Sequence, residues 1–153
     1  MSRLRGLRRA TKLWIGLIAA VLALTLAGCG STPKSRYVAQ LNKMCEDFAR
    51  REQKIGTPQS PADLRARGDR IVAAYDAAIY RPLQRLKAPP VIASEAAQLR
   101  ELARRQRNVL GALATAGKTG DLQKVQQLVG VNQQLNSQLA QLARHLKADS
   151  CAS

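Results

Sequence analysis

Beyond residue 35, apolar side chains recur along the chain at intervals of three and four residues. This spacing matches the turn of an α-helix, and no segment alternates apolar and polar residues between turn dipeptides as a strand would. The spacing predicts four amphipathic helices, over about residues 36–54, 60–86, 91–116 and 120–147. Because short loops join them, we expect an all-α fold, an up-down-up-down four-helix bundle over residues 36–153.

Each predicted helix carries one apolar stripe that is expected to face the core. In chain order the stripes are Tyr37, Leu41, Met44, Cys45 and Phe48; Leu64, Ile71, Tyr75, Ile79, Leu83 and Leu86; Ile92, Leu99, Leu102, Val109, Leu110 and Leu113; and Val125, Leu128, Leu135, Leu139, Leu142 and Leu146.

Turn chemistry predicts where the helices begin and end. Ser60 is the expected N-cap of the second helix, with Pro61 in the first turn and Asp63 as a capping acid. Gly117 is the expected C-cap of the third helix. Pro82 interrupts the second helix and can either kink it or end it. We prefer the kink, because the leucines that follow keep the helical phase.

One polar residue falls where the fourth helix should present a leucine. Asn132 lies in the apolar series of that helix, where a polar side chain can fix the pairing of helices. The simpler interpretation is that Leu128, Val129 and Val131 form the inward face there and that Asn132 points to water. Seven glutamines give the same helix an uncharged polar face that is a second candidate for contact with a partner.

The first 28 residues have the layout of a secretory signal. Basic residues come first, an apolar stretch from Leu13 to Leu26 follows, and small residues lead to Cys29. The apolar stretch is shorter than the roughly 20 residues that a membrane-spanning helix needs, which favours a cleaved signal over an N-terminal anchor.

The junction Leu26-Ala27-Gly28-Cys29 resembles the lipobox of bacterial lipoproteins. The resemblance implies cleavage before Cys29 and a diacylglyceryl group on its thiol. Residues 29–35 then form a lipidated N-terminus and a short polar tether. The protein would lie on the outer face of the cell membrane, or on the outer membrane of a Gram-negative cell.

The chain is strongly basic, with 25 Lys and Arg against 10 Asp and Glu and a formal net charge of +15. Four arginines of the third predicted helix form the candidate interaction surface: Arg100, Arg104, Arg105 and Arg107. We expect this surface to attract anionic lipids, envelope polymers or another envelope protein. The alternative is a merely solvated basic surface. Nucleic acid is not an expected partner, because the protein is exported and this helix has no aromatic residue for stacking.

Two cysteines remain beyond the lipidation site, Cys45 and Cys151. An even pair in an exported protein predicts a disulfide, and two free thiols are the alternative. The mature domain also resembles small helical lipoproteins of actinobacteria, through the tyrosine that opens the first helix, the two cysteines and the turn from Leu83 to Pro90. This resemblance supports the helical fold and implies no particular chemistry.

We find no constellation that predicts catalysis or a metal site. The acidic residues fall in i,i+4 pairs typical of solvated helix faces, namely Asp47 with Arg51, Asp63 with Arg67, Arg65 with Asp69, and Glu101 with Arg105. His145 is the one histidine, placed where a cation suits the end of a helix. It could hold a haem with Met44, but both residues have simpler structural explanations, so no cofactor is expected.

The sequence therefore favours a non-enzymatic, membrane-anchored lipoprotein that acts as an interaction or structural module of the cell envelope. The alternative is a small-molecule carrier with an apolar slot between its helices, near Pro82. A cavity of several hundred Å³ would favour the carrier, whereas a solid bundle core would count against it.

Overall fold

The computed structural model describes residues 31–152, so the predicted signal peptide and the lipidation site at Cys29 lie outside the described residues. Within this range α1 is Pro33–Ile55, α2 begins as Pro61–Tyr75, α3 is Ala93–Thr119 and α4 is Leu122–Leu146. The range contains no strand. The predicted all-α helical bundle is confirmed. None of the helices described in residues 31–152 is long and apolar enough to cross a lipid bilayer.

Helix α1 begins earlier than its apolar stripe indicates. Pro33 opens it, a residue whose fixed φ suits the first helical position, so residues 33–35 are helical and not part of a tether. Tyr37 and Leu41 are buried, as the stripe predicts. The helix ends at Gly56, which takes a φ of +80° and donates its N–H to the carbonyl of Glu52 at 2.8 Å.

Helix α2 begins at the predicted N-cap. The Ser60 hydroxyl accepts the Asp63 N–H at 3.1 Å, and the Asp63 carboxylate accepts the Gln59 N–H at 3.2 Å. The helix then passes through a π-helical segment, Asp76–Tyr80, and continues as the α-helical segment Arg81–Arg85.

Pro82 explains the change of geometry in α2. A proline in an α-helix has no N–H to donate, and its ring collides with the carbonyl four residues earlier. In the wider turn the Arg81 N–H bonds the Asp76 carbonyl, five residues back. The helix therefore continues past Pro82 and places Leu83 in the core with 2% of its surface exposed, as the preserved phase predicts.

The end of α3 differs from its prediction. Gly117 lies inside the helix, and α3 ends at Gly120, whose φ of +74° is left-handed. Gly117 is buried because α2 approaches there: a Cβ on it would lie 2.8 Å from Leu64 Cγ. Asp121 then caps α4 by accepting the Lys124 N–H at 2.9 Å, and α4 ends before Lys147 as expected.

The four helices do not surround the core evenly. Helix α3 packs closely against both α2 and α4, whereas α1 packs against α2 and makes little direct contact with α4. A 3-10 turn, Asp149–Cys151, contacts both α1 and α4 and so bridges them at one end. The apolar core is accordingly divided into two buried clusters. The larger contains Tyr37, Leu41, Leu83, Ile92, Ala96, Leu99, Ala103, Ala143, Leu146 and Ala148, and the smaller contains Leu113, Ala116 and Leu128.

The C-terminal turn is fastened to α1 by a disulfide. Cys45 and Cys151 are bonded, with their Cα atoms 5.3 Å apart and a sequence separation of 106, as the pair of cysteines beyond Cys29 predicts. Beside the disulfide, the Ser150 N–H donates to the Asn42 side-chain oxygen at 3.1 Å, and the Ser150 hydroxyl donates to Glu46 at 3.0 Å. Side-chain contacts therefore hold the tail in the space between α1 and α4.

Candidate ligand cavity

A cavity of about 420 Å³ lies between α1 and α4, whose side chains share the larger core cluster but whose backbones approach closely at few points. Helices α2 and α3 supply further walls, and the bonded cysteines Cys45 and Cys151 line it as well. Leu99 and Ala103 of the larger core cluster border the cavity, and so does Leu110, which packs on the smaller cluster. The cavity thus borders both clusters and is partly open to solvent.

Most of the cavity wall is apolar, and an aromatic pair forms part of it. The rings of Phe48 and Tyr75 meet edge to face with their centroids 5.5 Å apart. The Tyr75 hydroxyl donates to the Ala103 carbonyl at 3.4 Å, and burial, together with the nearby charge of Asp76, raises the pKa of Tyr75 well above its usual range. The Tyr75 side chain is therefore neutral, and its hydrogen bond holds it in a fixed position in the cavity wall.

Polar residues line another part of the cavity: Glu52, Gln106, Asn132, Asn136 and Ser150. The Gln106 amide donates to the side-chain oxygen of Asn136, so this pair satisfies itself. The Asn132 side-chain oxygen is buried and has no hydrogen-bond partner among the described residues. A buried polar atom without a partner is costly and rare, so it calls for an explanation.

The simpler interpretation of Asn132 is wrong. Val129 and Val131, which were expected to carry the inward face, are 41% and 36% exposed. Asn132 instead lies half-buried against the cavity. It occupies the inward position that its leucine neighbours indicate, because the cavity leaves room for a polar side chain there.

Glu52 is a cavity residue that the sequence reading did not single out. It follows Phe48 at i+4, so it continues the apolar stripe of α1 with an acid, and this inward position is the sign that could have revealed it. It lies in the last turn of α1, where the helix dipole disfavours a negative charge. Its carboxylate forms no hydrogen bond or ion pair with any residue in 31–152.

Several other acidic side chains in residues 31–152 are paired with basic ones, whereas Glu46, Asp121 and Asp149 form no ion pair within that range. The predicted pairs Asp47–Arg51 and Asp63–Arg67 form at 2.9 and 3.4 Å. The other two predictions are wrong, because Glu101 bonds Arg104 and Asp69 bonds Lys118 across to α3. Hydrogen bonds from arginine lower the pKa of Asp47 and of Glu101, and those from Ser60 and Gln59 lower the pKa of Asp63.

The four arginines of the candidate interaction surface have different surroundings. Arg107 bonds the carboxylate of Asp76 in α2, and Arg104 bonds Glu101 through two hydrogen bonds, at 2.9 and 2.7 Å. Arg100 donates to the Leu86 carbonyl at 3.5 Å, and Arg105 is exposed. Two of the four charges are therefore matched by acids of the same molecule, which reduces their attraction for an external anion.

His145 and Met44 are not brought together. The histidine side chain is 70% exposed, with its Nε2 3.7 Å from the Glu95 carboxylate, whereas Met44 lines the cavity. No group of three or more potential metal-ligating side chains (His, Cys, Asp or Glu) occurs within residues 31–152.

Comparison of the chain with protein-family models, with curated proteins and with solved structures found no significant match.

Proposed function

We propose that this protein is a non-enzymatic, lipid-anchored envelope protein that carries a small, largely apolar molecule between its helices. The observation that supports this proposal is the cavity of about 420 Å³. Its volume lies within the range of about 300–1,000 Å³ that is typical of small-molecule sites, and its mixed wall, mostly apolar with a few polar groups, has their character.

The volume limits the size of the cargo. An apolar cavity of about 150 Å³ accommodates benzene, so a cavity of about 420 Å³ accommodates a molecule of about 17 non-hydrogen atoms. A shortened fatty chain or a two- to three-ring compound has this size. A complete phospholipid is too large to be enclosed.

The anchor is supported by the sequence of the N-terminus. A lipid on Cys29 would hold the domain near a membrane, because only three residues separate this cysteine from Pro33. An extended chain of that length reaches only about 13 Å. A carrier held so close to a bilayer could take up apolar molecules that partition into it.

Docking of an anionic partner to α3 is less well supported. Arg104 and Arg107 already bond acids of this chain. The excess of basic residues remains, and it would help to keep an anchored protein close to an anionic leaflet.

A native mass spectrum of the full protein, released gently from its own membranes, tests the proposal. We expect a lipidated chain from Cys29 to Ser153 that lacks two hydrogens because of the disulfide, with an additional mass of a few hundred daltons bound. A mass that still includes residues 1–28 would contradict the anchor, and a chain without any bound molecule would contradict the carrier.

A cavity-filling variant provides a second test that does not depend on release from the membrane. Ala140 lines the cavity, so Ala140→Leu should reduce retention of the bound molecule by at least about tenfold. Ala97 is exposed on α3, so Ala97→Leu adds the same carbons outside the cavity and should leave retention unchanged. Equal retention by the two variants would place the bound molecule elsewhere.

A further inference from the structure

We infer that the cavity selects a cationic amphiphile, with an amine head bound by Glu52 and Asn132 and an apolar body enclosed by the remaining wall. This inference rests on the proposed function and specifies its ligand. It requires a molecule of about 17 non-hydrogen atoms with a single amino group at one end.

The first argument concerns charge. Each described acid that forms an ion pair lies away from the cavity wall, whereas Glu52 lines the wall and has no partner in residues 31–152. Glu46, Asp121 and Asp149 also form no ion pair within residues 31–152, but Glu52 is the acid among the residues that line the cavity. The last turn of α1 adds the negative end of a helix dipole. A cation is the ligand group that both features favour.

The second argument concerns hydrogen bonds. The Asn132 oxygen is buried without a donor, and the carboxylate of Glu52 also accepts only. Both groups therefore require a ligand that donates. An ammonium has three N–H donors and no acceptor, so its hydrogen-bonding character matches both of these oxygens.

The third argument concerns the aromatic pair. The rings of Phe48 and Tyr75 belong to the same cavity, and ring faces attract cations when water is excluded. The side-chain oxygens of Tyr37 and Gln138 are also buried without a hydrogen-bond partner among the described residues. Neither residue lines the cavity, so neither is expected to bind this ligand.

The positive net charge of the protein opposes the binding of a cation, so a preference for an amine would be informative. The chain from Cys29 onward keeps 20 Lys and Arg against 10 Asp and Glu, a net charge of +10, so long-range attraction should favour an anionic ligand over a cationic one of equal size. Preference for the amine would therefore have to arise locally, from the groups in the cavity wall.

The test compares three probes of matched chain length: dodecylamine, dodecanol and dodecanoic acid. Each probe displaces the neutral fluorophore N-phenylnaphthylamine from the full chain held in a lipid nanodisc, with empty nanodiscs as the blank. We expect the amine to bind at least about tenfold more tightly than the acid, the effect of one charge-assisted hydrogen bond.

Two variants of equal net charge test whether the preference for the amine depends on Glu52. Glu52→Gln should lower the affinity for dodecylamine by about tenfold or more and leave dodecanol within about twofold. Glu101→Gln removes the same charge from the exposed surface of α3, where Glu101 bonds Arg104, and should leave all three affinities unchanged. Circular dichroism melting of each variant verifies that it is folded.

The outcomes separate the two proposals. If all three probes bind but the amine has no advantage, or if Glu52→Gln and Glu101→Gln behave alike, the inference of a cationic ligand is contradicted. The proposal that the protein is a carrier is then still supported. If neither the fluorophore nor any probe binds and the native mass spectrum shows no bound molecule, both proposals are wrong.

Discussion

Arg107 of α3 donates two hydrogen bonds to the carboxylate of Asp76, from Nε at 2.7 Å and from Nη2 at 3.2 Å, where α2 changes into its π-helical segment. The guanidinium also lies over the ring of Tyr80, 5.4 Å from its centroid. Only 12% of the Asp76 side chain is exposed. The pair therefore fastens the irregular part of α2, which Pro82 imposes, to the central helix of the bundle.

Removal of this arginine should destabilise the protein. Arg107→Ala leaves the Asp76 carboxylate buried without a cation, and because the arginine itself is partly in water we expect a loss of about 1–2 kcal/mol of unfolding free energy. Urea denaturation measures it. Arg104→Ala breaks an exposed pair on the same helix and should change stability very little. Equal losses in the two variants would contradict the special role of Arg107.

The disulfide should contribute more than any single non-covalent contact. Cys45 and Cys151 are separated by 106 residues, and closing a loop of that length restricts the unfolded chain by about 4–5 kcal/mol in the chain-entropy description. We expect the variant with Ala at both positions to unfold at a much lower urea concentration than the oxidised protein. Dithiothreitol should lower the midpoint of the native protein to the same extent and leave the double variant unchanged. A midpoint that does not respond to reduction would show that the cysteines are not bonded.

Two glycines of α3 should respond in opposite ways to replacement by alanine. A Cβ at Gly117 would lie 2.8 Å from Leu64 Cγ, so Gly117→Ala forces α2 and α3 apart and should cost about 1–3 kcal/mol. A Cβ at Gly111 would meet nothing within 4 Å, so Gly111→Ala should add about 0.5–1 kcal/mol through the higher helix propensity of alanine. Thermal unfolding of the two variants measures both effects. A gain of stability in Gly117→Ala would mean that the two helices are not held this closely.

Replacing Asn132 with leucine should raise the stability of the ligand-free protein and weaken ligand binding. Asn132→Leu removes a buried oxygen that has no partner and keeps the side-chain volume, so the ligand-free protein should gain about 1 kcal/mol. The same variant should bind dodecylamine more weakly than the native protein does, because it has lost an acceptor in the cavity. Denaturation and fluorophore displacement measure the two effects on one preparation. A loss of stability would indicate that the asparagine already has a partner in the free protein.

The capping acid of α2 gives a pH-dependent prediction. Hydrogen bonds from Ser60 and Gln59 lower the pKa of Asp63 in the folded protein. A carboxyl whose folded pKa lies below its unfolded value stabilises the fold above the unfolded value, near pH 4, and loses this contribution as the pH falls through the folded value. In Asp63→Asn, stability should therefore decline less steeply below about pH 4. Some decline remains, because the pKa values of Asp47 and Glu101 are also lowered. Superimposable stability–pH curves would contradict this.

Local chemistry made most of the fold predictable. The 3.6-residue spacing of apolar side chains indicates four helices, and the N-cap at Ser60 and the end of the fourth helix near Lys147 are where the sequence places them. These features depend on residues within one or two turns of one another. The continuation of α2 past Pro82 was predictable for the same reason, since Leu83 keeps its phase.

Several errors concern residues whose surroundings come from distant parts of the chain. Gly117 is the residue type typical of a C-cap, yet it lies inside α3, where Leu64 of another helix packs on it. Arg107 belongs to a basic cluster in sequence, yet it bonds an acid 31 residues away.

The sequence by itself determined that this chain forms amphipathic helices, where α2 begins, and that two cysteines were available to form a disulfide. The tertiary structure decided how far apart the backbones of α1 and α4 lie and that the bonded C-terminal turn contacts both of them. No local pattern encodes the distance between two helices, since that distance follows from the packing of all the elements at once. The cavity lined by Glu52 and Asn132 is a consequence of that distance.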